Sequence, residues 1–134
     1  MKLIFVDYSA IYYSQVVKQA MPEKLAGKFV QIRDDTTEYL VFAPKEFAPY
    51  HADIVERFCS ERGLSGHYNS KGKRFEIHDS GWVVAGGGKF EMDRTEKRIR
   101  LYDNSMAYGR FDTEGLREKI LSLKRMSDYR VQVG

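Results

Sequence analysis

The segment that most constrains the fold is an amphipathic stretch near the middle of the chain, residues 49–59. Its apolar side chains recur at helical spacing, at Ile54, Val55, Phe58 and Cys59. Pro49 suits the first helical turn, where a missing N–H costs nothing. The pattern predicts a helix whose opening turn contains Pro49 and His51 and which ends at Gly63, a residue suited to a left-handed C-terminal cap.

In this helix His51 lies one turn before Val55, on the inward-facing edge. The positive end of the helix dipole disfavours an imidazolium there and keeps a neutral, basic nitrogen. The position also suits an ordinary first-turn residue with no chemical role, and on the segment alone this is the commoner interpretation. Asp53 favours the helix N-terminus through its charge.

A chain of 134 residues is most simply one domain, residues 1–134, and is long enough to bury a core unaided. Nine tyrosines and eight phenylalanines suit a sheet-rich core. The formal charge of +3 is too small to require a nucleic-acid partner, although it allows a local basic site for a phosphorylated target. We therefore expect no nucleic acid among the partners.

The single cysteine, Cys59, excludes an intramolecular disulfide and a cysteine-based metal cluster, and its apolar surroundings favour inert burial. No apolar run approaches the roughly 18 residues of a membrane span. The apolar opening at residues 2–6 is cut short at Asp7, with no cleavage pattern nearby. These features predict a cytoplasmic protein with no membrane partner.

Alternating or apolar segments predict strands along much of the chain. They are residues 2–6, 28–33, 38–42, 74–78, 82–85, 89–92, 97–102 and 129–133. Residues 9–20 have a helical pattern, and residues 65–73 are polar and predict a loop. A second main helix is predicted to begin at Asp112 or Thr113 and to bury Leu116, Ile120 and Leu123. The fold class is therefore α+β, with two main helices on a sheet.

Two further stretches have chemical potential. Residues 86–88 are three glycines, followed by Lys89, and their N–H groups suit an anion-binding nest. A β-bulge or a turn that interrupts the sheet is the commoner use of such a run. In residues 105–109, backbone amides and the Ser105 hydroxyl suit phosphate oxygens, but a plain strand-to-helix connection is the commoner interpretation.

Metal binding is not indicated by the histidines and acidic residues. His67 and His78 lack the spacing of metal ligands, and no cluster has the form of a zinc or calcium site. We therefore expect no bound metal.

Four stretches, in this order, resemble the Janus / 14 kDa phosphohistidine phosphatase family. They read KFVQIR at 28–33, YHADI at 50–54, GGGK at 86–89 and YDNSMAYG at 102–109. The strings YHADI and SMAYG are the specific signals. The resemblance covers residues 27–133 and leaves an N-terminal segment, residues 1–26, outside it.

The resemblance implies a single mixed β-sheet flanked by two main α-helices, similar to an α/β sandwich. It also implies a phosphatase that needs no metal or other cofactor and acts on phosphohistidine in proteins or peptides. The implied catalytic residues are His51 and Lys28, and the implied phosphate-binding residues are Ser105, Met106, Ala107 and Lys89.

The chain departs from the mammalian enzymes of that family at three places. Lys89 stands where they carry an arginine, which keeps the charge and loses the planar bidentate fork. Ala43 aligns with an arginine just ahead of the catalytic helix, with only Lys45 nearby to compensate. The chain is also longer between the helix and the glycines, which predicts an added hairpin around residues 66–78.

We therefore expect hydrolysis of phosphohistidine, or of another phosphoramidate such as phospholysine, with His51 as general base or nucleophile. A different class of function stays open, a non-catalytic module that binds phosphorylated ligands with the same loop. A third interpretation, a nucleic-acid-binding domain using basic strands at Lys97, Arg98 and Arg100, has no accompanying motif. We expect a monomer or a weak homodimer.

Overall fold

The structure, a computed structural model, describes residues 1–134. In chain order its elements are β1 (Lys2–Asp7), α1 (Ser9–Ile11), β2 (Lys24–Arg33), β3 (Thr37–Pro44), α2 (His51–Arg62), β4 (Gly66–Tyr68), β5 (Phe75–Ile77), β6 (Val83–Asp93), β7 (Arg98–Tyr102), α3 (Leu116–Leu121) and β8 (Arg130–Val133). A π-helical segment (Tyr12–Val16) continues α1, and a 3₁₀ turn (Lys124–Met126) follows α3.

Six strands form one mixed sheet in the order β1-β3-β2-β6-β7-β8. The two edge pairs, β1 with β3 and β7 with β8, are parallel, and the inner pairs are antiparallel. The mixed α+β class is thus confirmed. β1 lies in the N-terminal segment outside the resemblance, and it completes the sheet at one edge.

The prediction of a single sheet is wrong, because β4 and β5 form a separate two-stranded sheet. β4 falls within residues 65–73, which the sequence analysis assigned to a loop. Strands of three residues are too short to show an alternating pattern. The predicted added hairpin around residues 66–78 does correspond to this small sheet.

The prediction of two main helices and a sandwich-like arrangement is matched only in part. α2 has 12 residues and ends at Gly63, whose φ of 67° confirms the left-handed cap. α3 has only six residues and starts after Gly115, because the φ of 65° at Gly115 is not helical. Leu123 therefore lies outside it. None of the helices is long and apolar enough to span a lipid bilayer.

The segment predicted as a helix over residues 9–20 is shorter and less regular. The α-helical part ends at Ile11, and a π-helical segment occupies Tyr12–Val16. Aromatic and β-branched side chains dominate this stretch and lose rotamer freedom in a helix. Lys18, with a φ of 56°, terminates the helical conformation.

Each face of the six-stranded sheet has its own hydrophobic core. On one face α3 packs over the strands, with Leu116 and Ile120 fully buried. On the other face α2 packs over β2 and β3 through Ile54, Val55 and Phe58. Cys59 is buried in this second core, as predicted, and burial raises the pKa of its thiol to about 11.

The glycine run does not interrupt the sheet, contrary to the sequence prediction. Residues 86–88 lie inside the continuous strand β6 and pair with residues 29–31 of β2. The register between the two strands shifts between Gln31 and Ile32, so the strand accommodates a bulge beside the run. Glycines have no side chains to show an alternating pattern, so the strand was not evident from periodicity.

Candidate active site

The N-terminus of α2 presents His51 to the sheet. Tyr50 is extended, with φ −121° and ψ 150°, so the helix begins at His51 itself and the prediction that Pro49 lies in its first turn is wrong. The Asp53 carboxylate accepts a hydrogen bond from the Tyr50 N–H at 3.1 Å and so satisfies one of the free donors of the first turn. The same turn directs the His51 ring inward, where it is only 9% exposed.

The His51 ring packs on the backbone of β6. Its Nε2 lies 2.9 Å from the Gly88 carbonyl oxygen. Because a carbonyl can only accept, this nitrogen is the donor, and in a neutral ring Nδ1 keeps its lone pair. A Cβ on Gly87 would lie 2.9 Å from His51 Cδ2 and 2.8 Å from the Phe29 oxygen. The absence of a side chain at this position is therefore what admits the imidazole.

The surroundings of His51 keep it unprotonated. Burial lowers the pKa of the ring below its ordinary 6.5, and the positive charges of Lys28 and Lys89 lower it further. The Gly88 carbonyl and the Asp103 carboxylate act in the opposite direction and do not cancel the effect. The result is a neutral imidazole at pH 7.

Two lysines face each other beside this ring. Lys28 of β2 and Lys89 of β6 are direct partners in the antiparallel register. The Lys28 ammonium donates a hydrogen bond to the Pro49 carbonyl just before α2, and Lys89 forms an ion pair with Asp103 at 3.2 Å. Like charges directly opposite each other destabilise a sheet, and an anion held between them would remove that cost.

The surroundings of Lys28 lower the pKa of its ammonium group. Burial lowers the pKa of its ammonium group, and the charges of Lys45 and Lys89 lower it further. Lys28 also pairs in register with Ala43 of β3, which is fully buried. Ala43 carries no charge, so the positive charge near Lys28 comes from Lys45 and Lys89.

The loop at residues 105–109 closes on itself. The Ser105 N–H donates to the Gly109 oxygen at 3.1 Å, and the Ser105 Oγ accepts from the Tyr108 N–H at 3.1 Å. The Ser105 amide is therefore occupied, while the amides of Met106 and Ala107 have no hydrogen-bond partner within the protein. These two N–H groups are the free donors of the loop.

This loop lies against the same stretch of β6 as His51. The Gly87 N–H donates to the Gly109 oxygen at 3.1 Å. A Cβ on Gly87 would lie 3.3 Å from the Ser105 Cβ as well as against the His51 ring. The N–H groups of the glycine run belong to the sheet and this bridge, so we find no anion-binding nest in the run itself. Its role is to bring the loop and the imidazole together.

The two-stranded sheet supports the loop, a contact that the sequence analysis did not foresee. The Tyr108 hydroxyl donates to the Phe75 oxygen at 2.7 Å and accepts from the Phe75 N–H at 2.8 Å. The Arg74 guanidinium donates to the Ala107 oxygen at 3.2 Å and lies over the Tyr108 ring. These contacts of the hairpin therefore hold the loop at residues 105–109 in place.

The structure thus places the side chains of His51, Lys28 and Lys89 beside the loop that carries the free amides of residues 106 and 107. It adds Asp103, which lies in the motif at residues 102–109 and is not among the site residues that the sequence predicts. Nowhere are three or more histidine, cysteine or acidic side chains placed to bind one metal ion. A neutral imidazole beside two ammonium groups and free amides suits a dianion such as a phosphoryl group.

Comparison with known proteins agrees with these motifs. The model of the Janus/Ocnus family (Ocnus) matches residues 26–130. No curated protein matches the chain. The matched range contains His51, both lysines and the loop at residues 105–109. The chain belongs to the Janus/Ocnus family.

Proposed function

We propose that the protein is a phosphatase that hydrolyses phosphohistidine, or phospholysine, in proteins or peptides without a metal ion. The observation that carries the proposal is the neutral His51 ring beside the opposed Lys28 and Lys89 and beside the loop that carries two free amides. Phosphoryl transfer needs positioning and charge stabilisation more than elaborate covalent machinery. The resemblance to phosphohistidine phosphatases supports the same reaction.

The phosphoryl oxygens are held by the amides of Met106 and Ala107 and by the two ammonium groups. In one route His51 Nδ1 takes a proton from water while the water oxygen attacks phosphorus. The P–N bond breaks, and the leaving nitrogen takes up a proton. In the other route Nδ1 attacks phosphorus itself, the P–N bond of the substrate breaks as the leaving nitrogen takes up a proton, and water then hydrolyses the phosphorylated His51.

A second candidate is a module that binds phosphorylated ligands without hydrolysing them. One observation favours it: the buried Ala43 beside Lys28 leaves the site without the charge that the mammalian enzymes have there. Lys89 also forms an ion pair with Asp103 rather than being free. This module would bind phosphate and turn nothing over.

The test is release of phosphate from a phosphohistidine peptide by the wild type and by His51→Ala, each with and without a chelator. We expect chelator-resistant turnover that falls at least about 1,000-fold in His51→Ala, since the positioned base or nucleophile is lost. His67→Ala, which removes an exposed histidine on β4, is the matched control and should retain wild-type turnover. Wild-type binding of the peptide with no turnover would establish the binding module instead.

The two routes are separable by trapping. Brief reaction with a ³²P-labelled phosphohistidine peptide and an alkaline quench, which preserves phosphoramidates, should leave label on the protein only if His51 is the nucleophile. Label that is absent from wild type at every time of quenching indicates direct attack by water. His51→Ala is the control for label at other positions.

A further inference from the structure

Beyond the candidate active site, the same face of the six-stranded sheet continues uncovered. We call this part the open face and define it by six side chains: Lys24, Glu91, Asp93, Arg98, Arg100 and Arg130. They alternate along their strands with residues buried in the core under α3, such as Leu25 and Ile99. The open face therefore lies on the α2 side of the sheet, but α2 packs over β2 and β3 and does not reach it.

The open face joins the candidate site without a break. Along β6, Lys89 is followed on this face by Glu91 and then Asp93. Asp93 has Lys24 on one side and Arg98 on the other in the strand register. Asp93 lies about 13 Å from Lys89 along the strand, at about 3.3 Å per residue. The residues of the open face line a shallow concavity of about 530 Å³.

Positive charge on the open face is only partly balanced. Arg98 contacts Asp93 at 3.6 Å, and Arg100 contacts Glu91 at 3.8 Å. Lys24 and Arg130 form no ion pair. Arg98 and Arg130 are direct neighbours in the parallel register, so the sheet contains a second pair of like charges besides Lys28 and Lys89. Such pairs are unfavourable unless an anion is bound between them.

We propose that the open face docks an acidic segment of the phosphoprotein substrate, with carboxylates at Arg98, Arg130 and Lys24, while the phosphorylated residue occupies the site at His51. The proposal rests on the proposed function. Lys24, Arg98 and Arg130 lie level with Asp93 in one row across the strands, and in an extended chain the distance of about 13 Å from Lys89 to this row corresponds to about four residues. The docked carboxylates therefore lie three to five residues from the phosphorylated residue.

The mixed charges of the open face favour a polypeptide over a nucleic acid. Glu91 and Asp93 lie between the basic side chains and would repel a continuous phosphate backbone. A peptide can place carboxylates at the unpaired Lys24 and Arg130 and donors at Glu91. The net charge of +3 for the whole chain is also small for a nucleic-acid-binding protein.

The experiment compares two phosphohistidine peptides. One carries three glutamates at positions three to five from the phosphorylated residue, and the other carries glutamine at the same places. For wild type we expect a KM that is about 5- to 20-fold lower for the glutamate peptide, with similar kcat for both. Equal KM values for the two peptides would overturn the proposal.

Charge-reversal substitutions on the open face then test which basic side chains bind the glutamates of the peptide. Arg130→Glu and Lys24→Glu should each remove most of the preference for the glutamate peptide and leave turnover of free phosphoramidate within 2-fold of wild type. Lys124→Glu, on the other side of the molecule, makes the same change of net charge and should keep the preference. A loss of equal size in Lys124→Glu would show a long-range charge effect and overturn the docking site.

A measurement of peptide binding tests the docking proposal independently of the proposed phosphatase activity. Fluorescence anisotropy with the labelled, non-phosphorylated glutamate peptide measures docking whether or not the protein turns over. Absence of phosphoramidate turnover with binding that Arg130→Glu weakens at least 5-fold refutes the phosphatase and keeps the acidic-segment surface. Binding that is indifferent to Arg130→Glu, or a single-stranded oligonucleotide that competes better than the peptide, overturns the surface as proposed.

Discussion

The same strands form both faces of the six-stranded sheet, but the two faces carry different kinds of side chain. Under α3 the face is apolar, and Phe42 packs on Phe29 and Phe90 with ring centroids 5.7 and 5.0 Å apart. On the α2 side the apolar core stops at Val30, and the next outward residue along β2 is Lys28. Because successive side chains point to opposite faces, core residues and candidate site residues alternate along one strand.

The largest expected effects come from one substitution on each face, and they should change different properties of the protein. Phe90→Ala removes a fully buried ring and should lower the free energy of unfolding by about 3–5 kcal/mol, while the folded fraction keeps its turnover. His51→Ala should abolish turnover and lower that free energy by only about 1 kcal/mol, the value of one hydrogen bond. Denaturant unfolding and phosphate release measure the two effects. Equal effects of the two variants on turnover would contradict the division between the faces.

Gly87→Ala tests how closely the site depends on the sheet backbone. The new Cβ would meet the Phe29 oxygen at 2.8 Å and the His51 ring at 2.9 Å, so we expect the ring to shift and turnover to fall about 100-fold. Gly72→Ala is the control, because its φ of 67° imposes strain of about 1 kcal/mol in open space far from the ring. Wild-type turnover in Gly87→Ala would mean that the ring position is not limiting.

Tyr108→Phe tests the support of the loop by the hairpin. Burial raises the pKa of the Tyr108 hydroxyl to about 12, and the hydroxyl makes two hydrogen bonds to Phe75. We expect turnover to fall about 5- to 10-fold and the free energy of unfolding to fall by about 1–3 kcal/mol, since Phe75 N–H is left unpaired. Tyr68→Phe, whose hydroxyl donates to the exposed Glu56, should change neither.

The smallest expected effect is a shift of the pH profile. Since the pKa of His51 is lowered from 6.5, the acidic limb of turnover should lie below pH 6.5. Between the lowered pKa and 6.5 the unfolded chain binds more protons, so the His51 contribution to the free energy of unfolding is full above 6.5 and falls as the pH falls through this window.

Asp103→Asn sharpens this prediction. The Asp103 carboxylate raises the pKa of His51, so its removal should move the acidic limb to still lower pH. The shift should be small because Asp103 is exposed to solvent and screened. Asp128→Asn, which removes an exposed carboxylate paired with Lys97, should leave the profile unchanged. A shift toward higher pH in Asp103→Asn would contradict the assigned charge environment.

Local sequence patterns predicted the elements in which buried and exposed side chains alternate with a regular period. The helix at His51, its cap at Gly63 and the strand around Val30 follow from periodicity and from glycine stereochemistry. The position of Lys28 on the α2 face also follows from the two-residue period of β2. These features depend only on neighbours in sequence.

The remaining features depend on residues far apart in the chain. Gly87 lies directly against the His51 ring although the two residues are 36 positions apart in the sequence. No local pattern predicts such a contact. The hydrogen bonds of Tyr108 to Phe75 and of Arg74 to Ala107 likewise join a hairpin to a loop that neither segment indicates alone. Motif comparison named the candidate site residues, but the contacts that support them are seen only in the fold.

The central claim is that the fold holds His51 neutral, with its Nε2 proton on Gly88 and its Nδ1 lone pair free beside an anion site. The most direct measurement is ¹⁵N NMR of the His51 ring, titrated with pH and with inorganic phosphate. We predict the Nε2–H tautomer at pH 7, a pKa below 6.5, and a ring shift on addition of phosphate that is lost in Lys28→Ala. An imidazolium or an Nδ1–H tautomer at pH 7 would contradict this claim.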